Sequence, residues 1–255
     1  MPVLHDAPGT QRWITVTEEN GVRYLYLDSS EEGAMTLSSP DPVFNYLWYH
    51  KCSHLVGRPI RRALVLGAGA FTAAKCLALD HPGAIIDAVD EEAELAKIGR
   101  EFFFLERPEF ATIHFHGMTA EHFLAGKPDP YDFVFDDLFD GFQHVPLAGR
   151  GAEHWRKLRS VVPNGICVKN LIWSQRSADS RAACAEAIAA CRASFPSYGI
   201  LALGDPSGGH NLLIIALSEP QGFDWLSVHA RLAAAGLPSS ILEQASPEDP
   251  PAEFV

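Results

Sequence analysis

Cationic side chains are scarce in this chain of 255 residues, which carries 20 Lys and Arg against 32 Asp and Glu, a formal net charge of -12. That balance argues against a nucleic-acid surface, which needs clustered Lys and Arg to displace counterions. It suits a small cationic or neutral substrate instead. Long apolar runs are missing too. None approaches the roughly 18 residues that cross a bilayer, and the opening MPVLHDAPGTQ lacks a basic-then-apolar targeting segment. A cytoplasmic protein without membrane contact is the expectation. No CxxC pair occurs among the five cysteines. Cys76 and Cys167 therefore read as small core hydrophobes, and Cys184 and Cys191, one heptad apart on one helix face, as a reduced buried stripe. No internal repeat is present.

What is there begins with Arg62 to Asp90, RALVLGAGAFTAAKCLALDHPGAIIDAVD. Ala63 to Leu66 predict a buried parallel strand, Gly67-Ala68-Gly69 a tight turn, and Phe71 to Leu79 a helix opening onto it. Ile85 to Val89 predict a second strand. Asp90 stands at its carboxyl end, at the roughly 20-residue distance from which an acid reaches both hydroxyls of a ribose lying over the first turn. A nucleoside-containing cofactor follows. A dinucleotide fingerprint wants glycine where Thr72 stands, so S-adenosylmethionine, which has no phosphate, is the better candidate.

Around this stretch, residues 1–11 predict a loose terminus. Trp13 to Glu18 and Val22 to Asp28 alternate in period two about Asn20-Gly21, a hairpin signal. Ser29 to Asp41 read as loop or short strand, and PVFNYLWYHKCSHLV as a helix. Further on come a helix over Glu91 to Phe104 with Glu92, Glu94, Lys97 and Arg100 outward, a strand at Thr112 to His116, and a short helix at Ala120 to Ala125. A fourth strand, Phe133 to Phe135, leads into a run of acids. A helix at Ala152 to Val162, a strand at Ile166 to Asn170 and an Ala-rich helix at Ser177 to Ser194 follow, then closing strands at Tyr198 to Ala202 and Asn211 to Ala216. A helix at Trp225 to Ala235 precedes a tail expected to be disordered from Ser246.

Alternating strands and helices predict a Rossmann-like, doubly wound, mainly parallel sheet. The expected division is a β-hairpin region with its linking helix over 1–58, the cofactor domain over 59–219, and a helix with tail over 220–255. Pockets of such sheets lie outside the carboxyl ends of the strands. Gly67, Asp90, Thr119 and Asp137 all follow such ends.

Asp136, Asp137 and Asp140 crowd the end of the fourth strand, with His144 close behind as a candidate second base. Carboxylates so close raise one another's pKa and attract cations. One of them could position and deprotonate a substrate amine. Asp136 is grouped with the cofactor contacts, although alternation along a strand lets only one of Asp136 and Asp137 look into a cleft. His114 and His116 read as solvent or core histidines, and no metal site is predicted.

Several parts, taken in order, resemble the spermidine synthase (polyamine aminopropyltransferase) family. They are Leu27-Asp28 ending a hairpin, Tyr46 on a helix, GAGAFT, AVDEEAELAKIGREFF, YDFVFDDLFD, Pro163-Asn164-Gly165 and Gly209-His210-Asn211. The resemblance runs over roughly residues 13–216. It implies a class I methyltransferase-like fold with a small N-terminal β-domain and a homodimer. It makes Asp90 the acid that holds the ribose, with Glu91 beside it among the cofactor contacts, Gly67, Ala68, Gly69 and Ala70 the turn beneath the cofactor, and Asp137 and Asp140 the DxxD pair, the first acting as base. Tyr46 joins the catalytic group.

The departures matter as much. The acid of GGGDGG that holds the aminopropyl amine is Ala70 here. The GDG that addresses the adenine is Met118-Thr119-Ala120. The Gln after the hairpin is missing, with Met35 or Thr36 nearby, and the family's Tyr-His is Asn45-Tyr46. Without a charge at Ala70 the carboxylate of intact S-adenosylmethionine is not repelled. Transfer of a methyl or 3-amino-3-carboxypropyl group to a small amine is therefore favoured over aminopropyl transfer from decarboxylated S-adenosylmethionine. A catalytically silent subunit or scaffold is the alternative from another class.

Overall fold

The computed structural model describes residues 1–139, 151–204, 210–220 and 223–248. The chain begins with an antiparallel meander of four strands, β1 (Val3–Pro8), β2 (Trp13–Glu19), β3 (Val22–Leu27) and β4 (Ser30–Thr36). Asn20 and Gly21 both take positive φ, 52° and 77°, the pair of left-handed residues that matches a tight hairpin to strand twist. Ile14, Val16, Leu25 and Leu27 point inward. One expectation needs correction: residues 3–8 are not loose but pair with β2. Of the alternatives for 29–41, loop or short strand, 30–36 form a strand. The side chains of β1 are largely exposed, so backbone pairing, which leaves no hydrophobic pattern, holds it.

A 3-10 helix, Asn45–Val56, leads into the main sheet. Its central strands are β5 (Arg62–Leu66), β6 (Ile85–Asp90), β7 (Ile113–Gly117), β8 (Phe133–Asp136) and β9 (Ile166–Trp173), all parallel, in spatial order β9-β8-β5-β6-β7. Beyond β9 the antiparallel β11 (His210–Leu217) inserts before β10 (Ser197–Leu203), and β12 (Ala245–Glu248) closes the edge. The backbone of 245–248 thus pairs with β10, where disorder was expected from Ser246 onward.

Strand side chains alternate between two apolar clusters, one on each face. Ala63, Val65, Phe133 and Phe135 pack with α1 (Thr72–Asp80), the 3-10 helix and the N-terminal meander. Leu64, Leu66, Val134 and Cys167 pack with α4 (Ala152–Val161) and α5 (Ala178–Ser194). Between α1 and α4 in the chain lie α2 (Leu95–Phe102) and the short α3 (Ala120–Ala125); α6 (Trp225–Ala234) and α7 (Ser239–Leu242) follow α5. All five cysteines are buried thiols. The chain direction of crossovers reverses between β5 and β8, so the crevice over their carboxyl ends is the natural ligand position.

The helix after β6 starts at Leu95, not at Glu91, because Glu92 turns inward. Its carboxylate accepts from the backbone N–H of Thr10 (2.8 Å), Gln11 (2.7 Å) and Arg12 (3.0 Å) and from the Thr10 hydroxyl (2.6 Å). Glu92 is fully buried. Burial opposes its charge, yet these bonds hold its pKa down at about 2. One acid expected on a solvent face therefore ties the loop before β2 to the end of β6.

Candidate active site

A cleft of about 330 Å³ opens over the carboxyl ends of β5, β6 and β8, roofed by β4 and the start of the 3-10 helix. Its floor is the turn after β5. Gly67 takes φ 85°, and a β-carbon there would collide with the backbone carbonyl of Asp137, so only glycine fits. Phe71, which opens α1, is left-handed (φ 59°) and buried. A bulky residue in that region costs on the order of 1–3 kcal/mol and persists only where surrounding packing enforces it.

Asp90 borders this turn. Its Oδ2 accepts from the Ala68 N–H (3.0 Å) and, at the limit of a hydrogen bond, from the Gly69 N–H (3.5 Å), and its Oδ1 accepts from the Glu92 N–H (3.1 Å), which leaves one acceptor site open on Oδ1 and one only weakly engaged on Oδ2. Burial, helped by the nearby Glu32, lifts its pKa to about 6 despite these bonds. The arrangement has room for two further hydroxyl donors, the requirement for holding a ribose.

Asp137 faces Asp90 across the turn. The Tyr46 hydroxyl donates to its Oδ2 (2.8 Å) and the Asn170 amide to its Oδ1 (2.7 Å), while Asn211 donates to the Asn170 carbonyl oxygen (3.0 Å). This chain fixes the Asn170 amide with its NH₂ toward Asp137. Desolvation raises the pKa of Asp137 to about 6, the two donors pulling it down and the charges of Glu32 and Asp136 pushing it up. Burial and the adjacent Asp137 hold the Tyr46 phenol well above its usual value, so it stays a donor.

Asp136 does not reach the cleft, which corrects its grouping with the cofactor contacts. Alternation along β8 turns it to the opposite face. There it is fully buried, and its Oδ2 lies 2.7 Å from His154 Nε2 and 2.9 Å from Lys169 Nζ. Complete desolvation would raise its pKa, but Lys169 and His154 outweigh it and bring the value to about 2.

Gly67, Ala68, Gly69, Ala70, Glu91, Thr119 and Ala120 line the cleft with Asp90, Asp137 and Tyr46. Thr119 also caps α3, accepting from the His122 N–H. Met118 is not in the lining and packs against the apolar cluster under α4 and α5. Asp140 and His144 lie outside the described residues. Neither Met35 nor Thr36 takes the place of the missing Gln. Met35 is buried beside the Lys75 ammonium, and the side chains that β4 brings to the cleft are Glu31 and Glu32. Glu32, Arg12 and Asn170 are the residues that sequence reasoning missed. Asn170 had a legible signal, a polar residue near the carboxyl end of an apolar strand. Arg12 and Glu32 had none, since only the folding of the meander onto the turn brings them in. The lining is acidic, with Glu31, Glu32, Glu91 and Glu121 beside the two aspartates and Arg12 the one cation among the described lining residues.

No protein-family model and no curated protein sequence matches the chain. Solved structures do. A probable spermidine synthase from Corynebacterium glutamicum ATCC 13032 superposes with TM-score 0.78 at 19% identity, covering 98% of this chain and 91% of that one. Spermidine synthase from Thermotoga maritima gives 0.64 at 10% identity over 95% and 87%. Human methyltransferase-like protein 13, solved in complex with SAH, gives 0.57 at 17% identity over 82% and 93%. At such identities the likeness carries the fold. The chain has the class I methyltransferase fold with an added N-terminal sheet.

Proposed function

We propose that this protein is an S-adenosylmethionine-dependent transferase that moves a methyl or 3-amino-3-carboxypropyl group from the intact sulfonium to a small, amine-bearing acceptor. The observation that carries the proposal is Asp137, a carboxylate with pKa near 6 held by Tyr46 and Asn170, in one cleft with Asp90 and its open acceptor site. The residues present fit the cofactor. The glycine turn admits close approach, Asp90 suits ribose hydroxyls, and the acidic walls suit a positive sulfur. When bound, the sulfonium supplies an electrophilic carbon and a neutral thioether leaving group.

The protein's own part is alignment and proton removal. Asp137 accepts the ammonium proton of the acceptor, because only the neutral amine has the electron pair that forms the new N–C bond. A base with pKa near 6 is largely ionised at pH 7 and retains some proton affinity, a compromise suited to general-base work. Tyr46 and Asn170 hold both of its oxygens in place, which keeps the base oriented before substrate arrives.

A second reading, aminopropyl transfer from decarboxylated S-adenosylmethionine, is favoured by the acidity of the lining. Calorimetry with S-adenosylmethionine, its decarboxylated form and methylthioadenosine tests both. The proposal expects all three to bind, with the intact cofactor tightest. A preference for the decarboxylated form selects the second reading, and no binding by any of the three leaves the silent subunit or scaffold.

A further inference from the structure

The cleft holds a group of charges that the chemistry above does not use, Arg12 set between Glu32 and Glu91. Arg12 Nη1 lies 3.6 Å from Glu32 Oε1, and Arg12 Nη2 lies 3.4 Å from Glu91 Oε1. Both contacts are longer than a well-made charged hydrogen bond of about 2.7–2.9 Å. Glu32 Oε1 is buried and makes no hydrogen bond, an arrangement that is costly unless a ligand completes it.

The position of this pair relative to the reacting groups is fixed from both sides. Three successive N–H groups, those of Thr10, Gln11 and Arg12, are anchored on the buried Glu92 carboxylate, so the Arg12 backbone is held independently of its side chain. On the other side, the backbone of Glu32 and Gly33 lies directly on the glycine turn. A β-carbon on Gly33 would stand 2.7 Å from the Ala70 Cβ, and one on Gly69 would stand 2.6 Å from the Glu32 carbonyl oxygen. The strand beside Ala70 thus brings a carboxylate, Glu32, to the same cleft.

A sulfonium carries three arms. With the adenosyl arm held at Asp90 and the carbon under attack, the methyl or the first carbon of the amino-acid arm, turned to Asp137, the ammonium and carboxylate at the far end of the amino-acid arm are left the roof built by Arg12 and Glu32. We infer that Arg12 and Glu32 form a receptor for the zwitterionic end of the intact cofactor, the Glu32 carboxylate taking its ammonium and the Arg12 guanidinium its carboxylate. A loosely closed pair of opposite charges opens to admit a zwitterion with no change in net charge. A tail with only an ammonium draws Glu32 from Arg12 and offers the guanidinium no carboxylate in exchange, leaving it Glu91 alone, and is disfavoured by that difference. The acid at Glu32 thus does not by itself select the decarboxylated form, because its charge is balanced by Arg12. This inference rests on the functional proposal above and names the residues that set its cofactor specificity.

The test is calorimetry on the full chain with methylthioadenosine, S-adenosylmethionine and decarboxylated S-adenosylmethionine, for the wild type and for Arg12→Gln, Arg12→Lys and Glu32→Gln. Thermal melts verify that each variant folds. Arg12→Gln is expected to weaken the intact cofactor by about tenfold or more, to leave methylthioadenosine within about twofold, and to leave the decarboxylated form equal or tighter; Arg12→Lys recovers part of the loss. Glu32→Gln is expected to weaken both tailed ligands and spare methylthioadenosine. If Arg12→Gln changes the intact and decarboxylated cofactors in equal proportion, or changes neither, the receptor assignment is wrong while adenosine recognition stands. Failure of the wild type to bind methylthioadenosine overturns the functional proposal and this inference together.

Discussion

Replacing Asp137 with Asn separates a working carboxylate from a structural one, because the two readings predict opposite signs for stability. The folded-state pKa of Asp137 is near 6 against an ordinary value of 3.8, so the folded protein binds this proton more tightly than the unfolded chain. Stability from this group is then greatest at low pH and is lost as pH rises from about 4 to 6. At about 1.4 kcal/mol per unit, the ionised side chain costs the fold up to about 3 kcal/mol at pH 7. Solvent entering the open cleft reduces that to an expected 1–3 kcal/mol, by roughly the discount that water penetration brings to buried charges. Asn keeps the volume and both contacts. Its oxygen still accepts from Asn170, and its amide can donate to the Tyr46 oxygen, which accepts as well as donates. Asp137→Asn should therefore raise the melting temperature by about 2–6 °C in a chain of this size, hold cofactor affinity within a few-fold, and cut turnover by roughly 10²–10⁴. The wild-type rate, measured once an acceptor is known, should climb with pH through about 6, and the variant should lose that limb. Denaturant unfolding and calorimetry check the first two results without any acceptor. A variant less stable than wild type by more than about 1 kcal/mol would mean that Asp137 serves to anchor Tyr46 and Asn170, and the base assignment would go.

Three other substitutions test neighbouring acids. Asp90→Ala should abolish or greatly weaken adenosine-ligand binding in calorimetry, since two charge-assisted bonds worth about 1.5–3 kcal/mol each are lost; unchanged affinity would remove the ribose assignment. Asp136→Asn should destabilise by about 3–5 kcal/mol in urea, because Lys169 stays buried without its counter-charge; a near-neutral result would show that His154 and Lys169 do not need it. Glu92→Gln should expose the Thr10, Gln11 and Arg12 amides to hydrogen exchange and lower stability at neutral pH. In the wild type that contribution is present above about pH 4.5 and lost as pH falls through about 2, so unaltered exchange at those amides would discard the anchor.

The parallel strands were legible because both their faces are buried. RALVL, IIDAVD and FVFD read as near-continuous apolar runs, and their carboxyl ends mark the crevice. The acids at those ends, Asp90 and Asp137, were legible for the same reason. The edge strands were not. The residues of β1 and β12 gain order mainly from hydrogen bonds to β2 and β10, and a backbone ladder leaves no trace in side-chain pattern. Glu92 was misread as a solvent-facing residue because its partners lie some eighty residues earlier in the chain, where no local rule looks. Arg12 and Glu32 were hidden in the same way, their roles depending on how the meander closes over the turn.

The acids around the strand ends then sort by what satisfies them. Asp136 and Glu92 are held low by partners the protein itself provides, a Lys–His pair in one case and a row of backbone amides in the other. Both are charge-compensated from within the protein, Asp136 through Oδ2 alone, and each holds one piece of the scaffold: Asp136 links β8, β9 and α4, and Glu92 fixes the loop carrying Arg12. Asp90 and Asp137 are raised instead, half-buried, held by neutral donors with no cation beside them and within reach of the Glu32 charge. A fold selected for stability alone gains nothing from two half-satisfied carboxylates and an orphan Glu32 oxygen around one cleft. Donors from outside, ribose hydroxyls at Asp90 and cationic groups at Asp137 and Glu32, would reverse the shifts and release protons on binding. The same cleft offers an uncharged scaffold partner no such gain, which is the physical reason to prefer a transferase over a silent relative.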